Sequence, residues 1–562
     1  MKKTISVILL ACVMLAGSLF GCYSNTNNDD GKYAGRTKVT FTYYYAGYGD
    51  AHYQAMANDF NENISEDVYI KLQPYDDSNS TRAHVIAGTL DADIAQLSVD
   101  MFRKQQHLEE LSEVYNSNAY GEQTLIKDKD PGKMEYHTEK YKDKDGVEKT
   151  GVFQLPSARG GGYNFAYNKD TLNEVFPDGY TLPRTTDEFF QFGKDMFNNG
   201  AYLTSAAIAD IGGGDYLDYC YQAWFAQLMG SEKYDRFYSG EYYDEATSSW
   251  KLNDDRATVG LKVLNDNRQA IEDAYAICYE LLPKKNNYLH NASSQLDFLD
   301  NDKIIAGKGF KTYRAKTGFL FIGSYLETEL EPLVKDGTVE KHEYGMMRVP
   351  VASALVKQLE YRNEGALMTD AMLSKIIEAI DNGKDYEQTK VAIGDETLSQ
   401  KDYNRIYEAR KMVVSQICSN IVVPKIKDQS KRNAIMEVLK YMCSDRAQKV
   451  SAEATGGICL LPFGKRVSED ELEAEMSTFT KECNAIAEDM ITVDYAMVYS
   501  LFRANVSLKW YHSSTRLSVY LFDPAANVKV YNPSEMFTAT YDYLNGNWDS
   551  GMKLYKAAAG IA

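Results

Sequence analysis

Covalent, metal and acid–base chemistry rest on cysteines, histidines and paired carboxylates, and this chain of 562 residues arranges all three sparsely. Eight cysteines occur: Cys12 and Cys22 close to the N-terminus, then Cys220, Cys278, Cys418, Cys443, Cys459 and Cys483. The last six are scattered, with no CxxC pair and no metal-ligand spacing, so neither a zinc site nor any other metal centre is expected. Six cysteines admit about 15 complete pairings, and their spacing selects none. Cys443 stands beside Leu439 and Met442 in an apolar helical pattern, which suits a buried thiol. The histidines (52, 84, 107, 137, 290, 342, 512) are isolated from one another. Acidic residues are abundant enough that a carboxylate pair for glycan hydrolysis can be imagined. No nucleophile elbow, phosphate loop or metal motif accompanies them, and the chain reads as a non-enzyme needing no cofactor. Its plentiful chemistry is tyrosine, at 43 residues. Each offers a flat apolar face with a hydrogen-bonding rim, suited to stacking on sugar rings or to half-buried packing.

The N-terminus has the layout of a secretory signal peptide. Met1-Lys2-Lys3 is positive, and Ile5 to Phe20 is apolar except for Ser6, Gly17 and Ser18. That run is short for a membrane span. It ends Leu19-Phe20-Gly21-Cys22, which resembles the lipobox of bacterial lipoprotein precursors. The resemblance implies removal of residues 1–21 and diacylation of the Cys22 thiol. Two or three acyl chains hold a protein on a membrane where one does not. Residues 22–36 are polar and without apolar periodicity, the pattern of a flexible tether. The expectation is an exported chain, facing outward, whose membrane contact is the lipid on Cys22.

After such processing about 540 residues remain, enough for two or more lobes. Hydrophobic residues at 44% and charged residues at 25% describe a well-packed globular protein. The formal charge of −19 argues against nucleic acid and against anionic ligands drawn in by a long-range field. Thr37 to Tyr45 alternates and is β-rich, so it predicts a strand. A helix bearing Tyr53, Met56, Ala57 and Phe60 follows. Val68–Leu72 predicts a strand, 80–87 a short helix and Ala92–Leu97 a third strand. Met101, Leu108 and Leu111 then suggest an amphipathic helix. This β-α-β-α-β-α order implies a parallel sheet covered by helices, with ligands beyond the carboxyl ends of its strands. The charged, turn-rich stretches at 127–132 and 142–146 lack the calcium-loop pattern and suggest turns of a surface hairpin.

Further on, Arg159 precedes three glycines and a strand at 163–167, and Thr185-x-x-Glu188 spells a capping box. Residues 211–217 form a Gly-rich loop before a helix bearing Tyr221, Trp224, Phe225 and Leu228. A long helix is expected over 256–282, stopping at Pro283, and Ser430 is placed as the cap of a helix bearing Ala434, Ile435 and Leu439.

In order, these segments resemble the extracellular solute-binding proteins of ABC importers, in the carbohydrate branch that includes maltose-binding protein. The resemblance spans residues 37–562 as a succession of weak motifs. Asp93-Ile-Ala-Gln-Leu-Ser-Val-Asp100 is similar to a family strand and loop whose second aspartate reaches a sugar hydroxyl. Leu155-Pro156 with Tyr167-Asn168-Lys169-Asp170 resembles a crossover strand between lobes. Pro183-Arg-Thr185-Thr186-Asp187-Glu188-Phe189 resembles a helix start, with Thr186 where the family has tryptophan. Gly318-Phe-Leu-Phe-Ile-Gly-Ser-Tyr325 resembles the segment whose aromatic residue stacks on the sugar. Tyr344-Gly345 to Val349-Pro350 resembles the strand returning toward the hinge, and Gly456-Gly457 to Pro462 the region after the Ser430 helix. Residues 380–405 look like an added acidic loop.

What the resemblance implies is a periplasmic-binding-protein-like α/β fold, with two lobes joined by crossover strands and a ligand cleft between them. The N-terminal lobe is expected at 37–162 and 420–465, the C-terminal lobe at 163–419 and 466–562. The partners implied are a carbohydrate ligand and the permease subunits, with the chain itself a monomer. A carbohydrate site needs aromatic faces for ring surfaces and carboxylates or amides for hydroxyls. Candidate stackers are Tyr45, Tyr216, Trp224 and Tyr325; candidate polar ligands are Asp50, Asp76, Asp100, Arg159 and Asp215. Each has a structural alternative. Asp50, Asp100 and Asp215 suit helix caps. Trp224 and Tyr325 suit core positions, and Arg159 suits a hinge ion pair. Binding of a non-sugar solute, a glycan-active enzyme and an all-helical glycan-docking lipoprotein remain the competing functions.

Overall fold

A computed structural model describes residues 31–44, 47–75, 77–97, 102, 107–129, 138–142, 147–158, 162–206, 216–281, 288–290, 298–307, 316–415, 419–426, 428–473, 475–494 and 532–559. Residues 1–30, with the signal-like segment and Cys22, lie outside these, as does Cys418.

The first half carries β1 (Thr37–Tyr44), β2 (Val68–Tyr75), β3 (Ile94–Ala95), the hairpin β4 (Thr138–Lys142) and β5 (Glu148–Val152), and β6 (Leu155–Ala158). The second carries β7 (Asn164–Asn168), β8 (Ala201–Ser205), the hairpin β9 (Glu241–Asp244) and β10 (Ser249–Leu252), β11 (Lys316–Ile322), β12 (Tyr344–Met347) and β13 (Met412–Ser415). The chain then returns through β14 (Ser419–Ile421) and crosses again to β15 (Ile491–Asp494). β2, β1 and β3 form a parallel sheet in that order. An antiparallel bridge from Ala95 to Val422 and the β14–β6 pair extend it. The second sheet is mixed, in the order β12-β7-β11-β8, with β7 antiparallel to both neighbours. β13 pairs with β15 in parallel, and Val414 bridges to Tyr163 at the start of β7.

Two apolar cores follow from this layout. One gathers Val39, Phe41, Phe60, Ile70 and Leu155 with Ile421, Leu439 and Phe463. The other gathers Phe165, Phe189, Trp224, Ile271 and Phe319 with Ile376, Ile406, Leu544 and Trp548. A third cluster joins them: Tyr48, Ile458 and Leu460 meet Ala166, Leu320, Ile322, Leu326 and Phe479. Where β6 turns toward β7, Gly162 has φ +69°, and a Cβ there would stand 2.2 Å from Cγ1 of Val413. Only glycine lets the two crossing strands come this close.

The predicted order β-helix-β-helix-β is present in the first hundred residues, with helices Ala51–Asp59 and Ser78–Ala87 between the strands. Several details differ. Leu108 lies on a bridge to Pro424, with the Glu109 amide donating to the Val423 carbonyl, and Leu111 is the N-cap of a short helix, Ser112–Tyr115; Met101 lies outside the described residues. Three apolar residues at loose spacing do not separate a helix from a buried edge segment. The long helix expected at 256–282 breaks into Arg256–Val259, Lys262–Asn265 and Arg268–Glu280, the first break at Gly260 with φ +66°. Pro283 lies outside the described residues. The helix Gln429–Met442 is capped by Asp428, which accepts from the Ser430 amide, so Ser430 is the second helical residue and not the cap. Thr185 does cap Thr186–Asn198, but Glu188 reaches back to the amide of Arg184, one residue beyond a standard box. Residues 380–405 are no loop. They belong to helices Asp370–Asp381, Tyr386–Ile393 and Gln400–Lys411, with Ile380, Leu398 and Tyr403 buried in the second core. Their apolar residues recur at helical spacing, which the acidic content hides from a composition-based reading.

Candidate functional site

The carboxyl ends of β1, β2 and β3 point to where the halves meet. After β1, the connection through Gly47 and Gly49 delivers Tyr48 to the other half. Tyr48 is 7% exposed, and its hydroxyl lies 2.6 Å from the Ser324 hydroxyl. Its ring meets that of Tyr325 edge-on, with centroids 5.5 Å apart. Ser324 and Tyr325 follow the end of β11, and Tyr325 heads the helix Leu326–Lys335. The preceding Gly323 is a spatial requirement: a Cβ there would stand 2.3 Å from the Tyr325 ring.

Beyond Tyr325 the aromatic surface continues. Its hydroxyl donates to that of Tyr163 at 3.4 Å. Tyr163 stacks on Tyr219 at 4.8 Å and 16°, and on Phe321 at 5.9 Å and 14°. A run of tyrosines (48, 325, 163, 219) therefore crosses from one half into the other. Tyr48, Tyr163 and Tyr219 are buried, at 7%, 7% and 8% exposure, so within the run it is the half-buried Tyr325 that offers ring surface, of the kind that favours the C–H faces of sugars. Buried polar side chains stand at the same end of the second sheet: Asn164 and Ser205 are each 1% exposed, and the Ser205 hydroxyl has no hydrogen-bond partner.

On the first half, Asp50 occupies the N-cap position of Ala51–Asp59 yet makes no side-chain cap bond. Its carboxylate instead accepts from the Tyr43 hydroxyl at 2.7 Å and from Gln54 at 3.2 Å. Next to it, His52 is buried with both ring nitrogens unpartnered. Burial holds its pKa down at about 4, opposed by the nearby Asp50 charge. Tyr44 and Tyr75 end β1 and β2 in register, their ring centroids 5.9 Å apart. Burial pushes the Tyr75 hydroxyl above its usual range.

Of the nine residues singled out from sequence, Tyr45, Asp76, Asp100, Arg159 and Asp215 lie outside the described residues. The side chain of Tyr216, which opens the helix Tyr216–Met229, also lies outside them. Tyr325 stands where the halves meet, against Tyr48, whereas Asp50 bonds to Tyr43 and Gln54 of its own half. Trp224 does not: it is 0% exposed, its indole N–H donates to the Pro350 carbonyl at 3.1 Å, and its ring packs on Phe165. An enclosed ring cannot stack on a ligand, so Trp224 is a core residue. The sequence reading missed Tyr48, Tyr163, Tyr219 and Ser324. A glycine next to an aromatic residue at a strand boundary, as in Gly162-Tyr163 and Gly47-Tyr48, is the signal that was available.

Among the described residues no group of three or more histidines, cysteines or carboxylates could hold a metal ion. Cys443, Cys459 and Cys483 are free thiols, and among the described residues no helix is long and apolar enough to cross a membrane.

Two α/β halves joined by crossing strands make a periplasmic-binding-protein-like fold. No protein-family model matches the sequence, and no curated protein matches it. Among solved structures, the chain is similar to a chitin oligosaccharide binding protein at 14% identity, with 92% of this chain and 99% of that one covered and a TM-score of 0.53. It is also similar to the raffinose-bound substrate-binding protein RafE at 14% identity, with coverage of 91% and 99% and a TM-score of 0.51; RafE has also been solved from Streptococcus pneumoniae without ligand. A third is the ABC substrate-binding protein Lmo0181 of Listeria monocytogenes in complex with cycloalternan, at 10% identity, coverage of 91% and 98%, and a TM-score of 0.51. At such identities the likeness establishes the fold.

Proposed function

We propose that this chain is the substrate-binding component of an ABC importer, capturing a sugar or oligosaccharide between its lobes and presenting the closed form to a permease. The observation that carries this reading is Tyr325, half-buried and edge-on to Tyr48 of one half and to Tyr163 of the other. A ligand held there contacts both lobes at once, so its binding energy favours the closed state. The similarity to structures named for raffinose, chitin oligosaccharide and cycloalternan binding supports a carbohydrate. Those structures are of binding proteins, which supports a role in binding and not in catalysis.

The finer assignments belong to the same proposal. The N-terminal lobe comprises 37–162 and 420–465, the C-terminal lobe 163–419 and 466–562. The chain acts as a monomer, exported and held outside the cell by the lipid on Cys22, with 23–36 as the tether. Where Tyr45, Asp76, Asp100, Arg159, Asp215 and Tyr216 reach the cleft, they add stacking and hydroxyl contacts to those of Asp50 and Tyr325. The test is a thermal-shift screen of the purified protein against mono- and oligosaccharides, because a ligand that binds the folded state raises its apparent stability by mass action. Stabilisation by at least one carbohydrate is expected; stabilisation by peptides or polyamines and by no sugar would overturn the reading.

A further inference from the structure

One aromatic ring at the carboxyl end of the first sheet is not absorbed by the tyrosine run. Tyr44, the last residue of β1, is 47% exposed, the most exposed aromatic residue among those described. Its single ring contact is Tyr75, its in-register neighbour on β2. The shelf they form is braced from β3: the Gln96 side chain accepts from the Tyr44 amide at 2.8 Å, and the Gln96 carbonyl accepts from the Tyr75 hydroxyl at 2.5 Å. Among the described residues the Tyr44 hydroxyl has no partner, whereas those of Tyr43, Tyr48, Tyr75 and Tyr325 are all engaged.

A cross-strand pair that served only to hold the sheet would bury its rings, and this one leaves half of Tyr44 in water. Holding a ring in place beforehand lowers the entropy lost when a partner stacks on it. Tyr44 also stands apart from the inner run. Tyr48 is 7% exposed against 47% for Tyr44, and among the described residues Tyr44 makes no ring contact with Tyr48, Tyr325, Tyr163 or Tyr219.

We infer that the Tyr44–Tyr75 shelf is a second ring-stacking subsite at the rim of the cleft, and that the ligand is an oligosaccharide long enough to reach from it to Tyr325. This rests on the carbohydrate reading above and narrows it. A ligand of this kind places one unit in the inner run and a later unit on the shelf, with the free Tyr44 hydroxyl at the level of its ring substituents.

The experiment is calorimetric titration of the purified protein with chito-, malto- and xylo-oligosaccharides of about one to six units. Within the series that binds, affinity rises about tenfold or more once the chain reaches the shelf. Tyr44→Ala removes that gain for the longer ligands while weakening the shortest by less than about twofold. Tyr325→Ala weakens every length. Equal affinity for all lengths, or a Tyr44→Ala variant with unchanged affinity for the longest ligand, would overturn the inference and leave the carbohydrate reading standing. No binding of any sugar overturns both. Melting of Tyr44→Ala at the wild-type temperature confirms that a loss of affinity is local, since an exposed ring adds little to stability.

Discussion

The two halves bring aromatic residues to the cleft in different ways. In the C-terminal half, Tyr163, Tyr219 and Phe321 are the outermost layer of a core that continues inward through Phe165 and Trp224. In the N-terminal half, the core stops at Tyr43, whose hydroxyl is tied to Asp50, and the next residue, Tyr44, stands in solvent on the other face of the strand. One wall of the cleft is thus the surface of a packed interior, and the other is a set of individually braced strand ends. Substitutions on the first wall must disturb folding as well as binding, while substitutions on the second can disturb binding alone.

The largest expected effect tests the inner end of the first wall. Trp224 is enclosed and hydrogen-bonded to the Pro350 carbonyl. Trp224→Ala therefore costs about 3–5 kcal/mol of stability, read by chemical denaturation. The protein that remains folded binds its ligand as before; a large loss of affinity without loss of stability would put Trp224 back in the site.

Buried titratable groups separate the halves by the sign of their pH dependence. His52, beside the N-terminal cleft wall, has its pKa lowered by burial from 6.5 to about 4. The unfolded chain binds its proton more tightly, so this residue's contribution is full above pH 6.5 and is lost as pH falls toward 4, by about 3 kcal/mol. Glu329, on the helix that Tyr325 heads, has its pKa raised by burial from 4.5 to about 7, with the carboxyl of Asp302 hydrogen-bonded to it. Here the folded state holds the proton more tightly. This residue's contribution is greatest below pH 4.5 and is lost as pH rises through its raised pKa. The two slopes oppose each other in the wild type. Denaturation curves against pH should therefore diverge: relative to wild type, Glu329→Gln gains stability as pH rises from 4.5 to 7, and His52→Leu loses it from 4 to 6.5. Parallel curves for all three proteins would remove both assignments.

Tyr325→Ala tests the outer end of the first wall. The residue is half-buried against Gly47 and Tyr48, so its loss costs about 1–2 kcal/mol of stability and about tenfold in sugar affinity. Set beside Trp224→Ala, this variant has the opposite balance of effects. If both variants lose stability and affinity in the same proportion, the distinction between core and cleft in this wall fails.

That distinction was only partly legible in the sequence. The alternating pattern at 37–45 and the helices after it sufficed for the parallel sheet, because strand and helix periods are local. Tyr325 was singled out through its resemblance to a sugar-stacking position, and its ring meets Tyr48 of the other half. Trp224 was not legible, because a helix whose faces are all apolar carries no mark of which side meets the cleft. Tyr48 and Tyr163 escaped for another reason. Their role comes from a contact between residues 276 and 162 positions apart from their partners Ser324 and Tyr325, which no local pattern encodes. The acidic stretch at 380–405 misled in the reverse direction, since charge on an outer helix face conceals the buried Leu398 and Tyr403 beneath it.

The smallest effect bears on how the walls meet. The Tyr48 hydroxyl and the Ser324 hydroxyl form a bond between the lobes that needs no ligand. Tyr48→Phe keeps the edge-on contact with Tyr325 and removes that bond, worth about 1 kcal/mol in a buried setting. Because the bond exists only when the lobes touch, its loss shifts the unliganded protein toward the open form by about fivefold. Affinity falls by the same factor, since the ligand must supply what the hydroxyl pair no longer does. Small-angle scattering of the unliganded variant should show a larger radius of gyration than wild type, with the liganded forms identical. An unchanged radius together with unchanged affinity would mean that the aromatic contact alone sets the meeting of the two walls, and that the hydroxyl pair merely follows it.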